Sequence, residues 1–216
     1  MKSSCLFGGF VACLAMVGFG HSDADAKRLF NKNVEKATAE IAGCTDSAIE
    51  GRATLKERFT EEGIKEVEVS MFVKGLSDGK HAVHIHEAAA CTPTCSAAKG
   101  HHDPGAIALY SGNPNAPDSP HFNHPFHMGD LVNIEVRNGI GVMHTTTNRI
   151  TLSEGRLSIF DEGTGDDAGS AFIIHTNPDL YCDLVGEDEL VAGCAGGPRD
   201  ACGIIEPVTR PDRHDR

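Results

Sequence analysis

The chain has 216 residues and a formal charge of −12, from 19 basic and 31 acidic side chains. A surface this acidic repels nucleic acid and anionic lipid, so neither is expected as a partner. With 40% hydrophobic residues, the length suits one domain with its own core.

The elements follow in chain order. Lys2, an apolar run from Cys5 to Gly20 and the small-residue pattern Ala24-Asp25-Ala26 read as a secretory signal peptide over residues 1–26. That run is too short for a membrane anchor, and no other run is long enough, so no membrane span is expected. Six of the eight cysteines lie beyond it: Cys44, Cys91, Cys95, Cys182, Cys194 and Cys202. An even number in an exported chain reads as disulfides and places the protein outside the cell or in a periplasm. A zinc-thiolate site at Cys91-x3-Cys95 is the rival reading, but no second matching pair follows.

Residues 27–47 are charged and alanine-rich without turn signals, which predicts a linker or short N-terminal helix outside the core. Val67, Val69, Met71 and Val73 alternate with other residues as a strand does. The turn Ser77-Asp78-Gly79-Lys80 then leads into His81-Ala-Val-His84-Ile-His86-Glu87, and the two strands are predicted to pair as a hairpin. Alternation puts His84 and His86 on one face of their strand and Glu87 on the other.

From Ala88 to Pro125 no period is visible and prolines recur, which predicts a long functional loop. Leu131–Val136 alternates and is followed by Asn138-Gly139, a hairpin-turn signal. Arg149–Leu152 and Ala171–His175 are further strand candidates. A second irregular stretch spans Thr176–Ala201, and residues 207–216 form a charged tail expected to fray. Short strands separated by turns predict an all-β sandwich or barrel, with the chemistry on its two long loops.

Nine of the 12 histidines fall between His81 and His144. Such local demand for imidazole points to a transition-metal site. In order come His84-x-His86-Glu87, Gly100-His101-His102-Asp103-Pro104, and His127-Met-Gly-Asp130-Leu131. Then come a strand ending in His175 with Asp179 four residues on, and Arg199-Asp-Ala-Cys202-Gly-Ile-Ile.

These five motifs, in this order, resemble the copper/zinc superoxide dismutase family over roughly Ala48–Glu206. The resemblance implies a domain over 48–206 that folds as an eight-stranded Greek-key β-barrel or flattened sandwich. It implies copper ligands at His84, His86, His101 and His175, with His101 bridging to zinc. It implies zinc ligands at His127 and Asp130. The family's remaining zinc histidine has no match at its usual spacing; His121 is preferred by spacing, with His124 as the alternative. A copper-only site is the alternative arrangement to one with copper and zinc.

Asp179 matches a carboxylate that hydrogen-bonds one histidine of each site, and Arg199 matches an arginine that attracts the anionic substrate. Cys202 matches one half of the family disulfide, its partner being Cys95 or Cys91. Cys182 would then pair with Cys194, and Cys44 with the remaining loop cysteine. Histidines 81, 102 and 144 read as structural.

The implied activity is dismutation of superoxide to dioxygen and hydrogen peroxide by Cu(II)/Cu(I) cycling, with Arg199 guiding the anion and His101 handling a proton. Superoxide is the expected partner, and a homodimer is left open. Two alternatives stay in view: a copper-binding protein without catalysis on the same fold, and a three-histidine zinc hydrolase. The second loop carries Asp179, Asp183, Glu187, Asp188 and Glu189 with Arg199 as its only basic residue. That charge predicts slower anion capture and an unusual salt dependence.

Overall fold

The computed structural model describes residues 35–104, 124–160, 169–181 and 194–208. The predicted leader, His121, Cys182, the acidic run from Asp183 to Glu189 and the last eight residues lie outside them.

Ten strands appear among the described residues: β1 (Lys36–Gly43), β2 (Glu50–Phe59), β3 (Lys65–Lys74), β4 (Gly79–His81), β5 (Val83–His86), β6 (Ile134–Arg137), β7 (Ile140–Thr147), β8 (Ala171–His175), β9 (Arg199–Ile204) and β10 (Glu206–Pro207). Their order across the sheet is β4-β6-β7-β3-β2-β1-β9-β8-β5, with β10 beside β1. Every strand pairing is antiparallel.

The two ends of that order, β4 and β5, are consecutive pieces of one chain segment parted only by Ala82. One piece pairs with β6 and the other with β8, so the segment closes the sheet into a barrel. Taken with β9 and β10 as one interrupted strand, the count is the eight strands expected.

Alternation builds the core. Ala37, Ala39, Ile41, Leu55, Val67, Val69, Met71, Val73, Ile134, Val136, Phe172 and Ile174 turn inward and belong to one buried cluster. At the β6–β7 hairpin, Asn138 and Gly139 both have positive φ (52° and 72°), as the primed turn of a two-residue hairpin requires.

Four expectations are corrected. Residues 36–43 are not a linker or helix but a strand paired with β2, β9 and β10, with Ala37, Ala39 and Ile41 buried. Two of its three inward residues are alanines, whose helix propensity hides a strand period. The β3 strand does not form a hairpin with the histidine strand: its neighbours are β2 and β7. The first two residues of the expected tail are held by the barrel: Pro207 pairs with Ala37 and the Val208 N–H donates to the Lys36 carbonyl at 2.8 Å. The candidate strand at Arg149–Leu152 contributes only one isolated bridge, Thr151 to Ser158.

Candidate metal centre

Strands β5 and β8 are buried on both faces. Val83, Ile85, Phe172 and Ile174 face the barrel core. By alternation His84, His86, Ala171, Ile173 and His175 face outward. Ala171 and Ile173 pack there in a second cluster with Cys95, Ala98 and Cys202. The histidines therefore lie outside the barrel wall, under loops that cover it.

Two loops meet this wall. His101 bridges to His86, and Asp130 bridges to His84. The Ile85 N–H donates to the Gly129 carbonyl at 2.8 Å, and the His102 N–H to the Ile85 carbonyl at 2.9 Å. His175 stands opposite Arg199 in the β8–β9 pairing.

Four histidines, His84, His86, His101 and His175, hold ring nitrogens all within 4.8 Å of one another. Ring centroids lie 4.2 Å apart for His84–His101, 4.9 Å for His86–His101 and 4.9 Å for His84–His175. A second group, His84, His101, His124 and Asp130, meets the same distance limit. His127 adjoins it: its Nδ1 is 2.9 Å from Asp130 Oδ2, and its ring is 5.0 Å from that of His101. His101 belongs to both groups, with Nδ1 2.6 Å from Asp130 Oδ1.

Each clustered ring has one nitrogen held by the protein. The Nε2 of His84 is 2.9 Å from Asp179 Oδ2, while the Nδ1 atoms of His86 and His175 bond the carbonyls of Lys99 and Gly197 at 2.9 and 2.8 Å. The Nε2 of His124 is 2.9 Å from Asp179 Oδ1. The other nitrogens of the first group, His84 Nδ1, His86 Nε2 and His175 Nε2, are buried without a hydrogen-bond partner, while His124 Nδ1 lies 3.2 Å from Asp130 Oδ2. Burial of an unpaired polar atom is costly. A metal ion, binding each imidazole through one nitrogen while an acceptor fixes the other, removes that cost. The first group offers four imidazoles, a set that suits copper; the second offers imidazoles and a carboxylate, a set that suits zinc.

The electrostatics match. Burial pushes the His84 imidazolium pKa down to about 3 and that of His175 down to about 4. Burial, with the charges of His101 and Arg199, also holds His86 well below the usual histidine range. These rings are thus neutral and ready to bind metal at neutral pH. Burial also lowers His124, but the carboxylates of Asp130 and Asp179 outweigh it and raise its pKa to about 9. Burial raises Asp130 and Asp179, but their histidine partners hold both below the ordinary carboxylate range.

Arg199 donates to the Cys95 carbonyl at 2.7 Å and the Lys99 carbonyl at 2.5 Å. Those carbonyls belong to the loop around a 3-10 turn at Cys95–Ala98. Disulfides join Cys91 to Cys202 and Cys44 to Cys95, so the loop is tied to both β9 and the end of β1. Cys194 is also disulfide-bonded.

The structure thus brings together His84, His86, His101, His127, Asp130, His175, Asp179 and Arg199. Of the two zinc-histidine candidates it places His124 in the cluster; the preferred His121 lies outside the described residues. Asp179, counted in sequence among the charges at the mouth, is buried and turned inward.

Sequence reasoning missed Asn133, whose amide donates to the Asp179 carbonyl at 3.0 Å and whose Oδ1 accepts the Asp179 N–H at 2.7 Å. Nothing in its local pattern marks it. His81 is buried, with Nδ1 2.8 Å from the His175 carbonyl and Nε2 2.9 Å from the Ser77 carbonyl. Among the described residues, no helix is long and apolar enough to cross a membrane.

An antiparallel β-barrel carrying two adjoining imidazole-rich groups, with His84 and His101 common to both, defines a β-barrel protein built to hold two metals. The model of the family described as copper/zinc superoxide dismutase matches residues 49–205. A Deinococcus radiodurans protein named superoxide dismutase [Cu-Zn] is 32% identical over 169 residues, 73% of this chain and 80% of its own. A Drosophila melanogaster protein named extracellular superoxide dismutase [Cu-Zn] is 32% identical over 143 residues, 64% of this chain and 67% of its own. The fold is also that of the crystal structure of the clock protein EA4, with a TM-score of 0.56 and 23% identity, over 80% of this chain and 94% of that one.

The chain belongs to the copper/zinc superoxide dismutase family. It is an oxidoreductase whose cofactors are copper and zinc and whose substrate is superoxide. Its disulfides and an extracellular relative are compatible with secretion.

Proposed function

We propose that this chain dismutes superoxide with copper held by His84, His86, His101 and His175, and zinc held by His101, His124, His127 and Asp130. The observation that carries the reading is the set of buried unpartnered nitrogens on His84, His86 and His175. The choice of His124 over His121 is supported by Asp179, whose two oxygens tie His84 and His124 together.

When bound, copper supplies a one-electron couple and zinc a redox-inert positive charge. The protein's own groups do the rest. Arg199, steadied by two carbonyls beside His86 and His175, attracts and orients the anion. The His101 Nδ1 lies beside Asp130, among the residues that would hold zinc, which leaves Nε2 to hold a proton and deliver it to the reduced oxygen species. One superoxide is oxidised to dioxygen and the next, taking two protons, is reduced to hydrogen peroxide.

The test is metal analysis with activity. One copper and one zinc per chain, with dismutation lost in His84→Ala while the fold is kept, supports the proposal. Full activity without copper overturns it, and copper binding without dismutation assigns the chain a copper-handling role.

Export through a leader over residues 1–26 completes the reading, with the protein secreted or periplasmic; N-terminal sequencing of exported protein should begin at Lys27. A homodimer without nucleic-acid or membrane partners is the expected state. It is supported by the acidic charge and by exposed Phe72 and Val142, paired across β3 and β7. Sedimentation at equilibrium tests it.

A further inference from the structure

We infer that Arg149 is a positioning residue for the zinc site, a three-carbonyl clamp on the turn that carries its ligands. The inference rests on the zinc reading of His101, His124, His127 and Asp130. The Arg149 Nη1 donates to the Pro125 carbonyl at 3.3 Å and to the His127 carbonyl at 2.9 Å, and Nη2 donates to the Asp130 carbonyl. These carbonyls span the segment from just after His124 to Asp130, so one side chain gathers the whole turn.

The chemistry favours arginine specifically. The turn has few strand bonds of its own: it joins the barrel through the Gly129 contacts with Ile85 and His102. Its remaining carbonyls need donors, and only a guanidinium offers several N–H groups in a rigid planar fork. An ammonium is a point charge on a flexible stem and would satisfy fewer carbonyls in fixed geometry. Asp179 holds the other side of the site through His124 Nε2. The two residues thus act as opposed supports, one on the backbone and one on an imidazole.

Arg149 also lines a groove with Pro125, Val132, Asn148 and Tyr181. A shorter side chain would let water reach the freed carbonyls, so the barrel should fold without it. What is lost is the register of His124, His127 and Asp130 around one point. Groups that orient metal ligands from behind typically control affinity by about 10–100-fold.

The experiment compares full-length wild type with Arg149→Gln, Arg149→Lys and a surface control, Arg137→Gln. Each is stripped of metal and titrated with zinc against a chromophoric chelator, then with copper. Cobalt(II) in the zinc site supplies a visible spectrum that reports tetrahedral geometry. Zinc affinity should fall about 10–100-fold in Arg149→Gln, with a weakened cobalt band, an intermediate loss in Arg149→Lys and none in Arg137→Gln. Copper affinity should be unchanged.

Wild-type zinc affinity in Arg149→Gln overturns the clamp. If that variant does not fold, Arg149→Lys decides: wild-type affinity there overturns the clamp as well. A wild-type protein that binds no zinc overturns the zinc reading itself, and the clamp with it.

Discussion

Asp179 has one oxygen on His84 and the other on His124, both at 2.9 Å, so a single carboxylate orients one imidazole of each cluster. Its charge also helps raise the His124 pKa to about 9, against burial, which lowers it. At neutral pH the metal-free His124 therefore carries a proton that a metal must displace. His84 and His175, near 3 and 4, do not. Zinc uptake at pH 7 should release a proton and tighten as pH rises toward 9, whereas copper uptake at His84 and His175 should release none. Calorimetry in buffers of differing ionisation enthalpy measures both, and zinc binding at pH 7 without proton release would refute the protonated His124. Asp179→Asn should shrink that release and weaken zinc by about 10–100-fold.

The signs for the metal-free fold follow from the same shifts. The pKa of His124 is above its unfolded value near 6.5, so its contribution is complete below pH 6.5 and lost as pH rises through about 9. His84 and His175 fall below 6.5, so the unfolded chain takes up their protons first, and stability drops as pH falls from 6.5 toward about 4 and 3.

At the scale of the element, the His127–Asp130 turn and strand β5 touch through a glycine. A Cβ at Gly129 would lie 2.2 Å from the Ile85 carbonyl oxygen, on the strand between His84 and His86. Gly129→Ala must therefore push the turn off β5. It should weaken zinc binding and lower the thermal midpoint of the holoprotein, while the strand register keeps the copper histidines paired. An unchanged midpoint and zinc content would show that the turn does not need this approach.

Strands β3 and β8 were readable in sequence because Val, Ile, Met and Phe mark their buried positions. The β2 strand was not, because its inward row, Ala53-x-Leu55-x-Glu57, ends in a carboxylate. Glu57 is buried because it accepts from the N–H groups of Leu152 and Ser153 at 2.7 and 3.0 Å, partners ninety-odd residues away that no local pattern displays. The clustering of His84, His86, His101 and His175 was readable because strand period and motif order place them. The third zinc histidine was not: spacing favoured His121, whereas the tie to Asp179 that favours His124 exists only in three dimensions.

At the scale of the whole molecule, the barrel closes through the broken β4–β5 segment and leaves its functional face outside the wall. The loop that presents carbonyls to Arg199 is held there by two disulfides of sequence separation 51 and 111, Cys44–Cys95 and Cys91–Cys202. It has two backbone bonds across its neck, from the Glu87 N–H to the Gly100 carbonyl at 3.0 Å and from the Ala88 N–H to the Ala98 carbonyl at 3.3 Å. The Cys44–Cys95 bridge ends on a residue whose carbonyl holds Arg199. Removing it as Cys44→Ser with Cys95→Ser should cost about 2–4 kcal/mol of stability, chiefly by freeing the unfolded chain. It should also loosen the guanidinium, so catalytic efficiency falls and its dependence on ionic strength flattens. Denaturant titration and rates measured across a salt series read the two effects separately. A lower midpoint with wild-type salt dependence would mean that the Lys99 carbonyl and the neck bonds suffice to aim Arg199, and would confine this disulfide to stability.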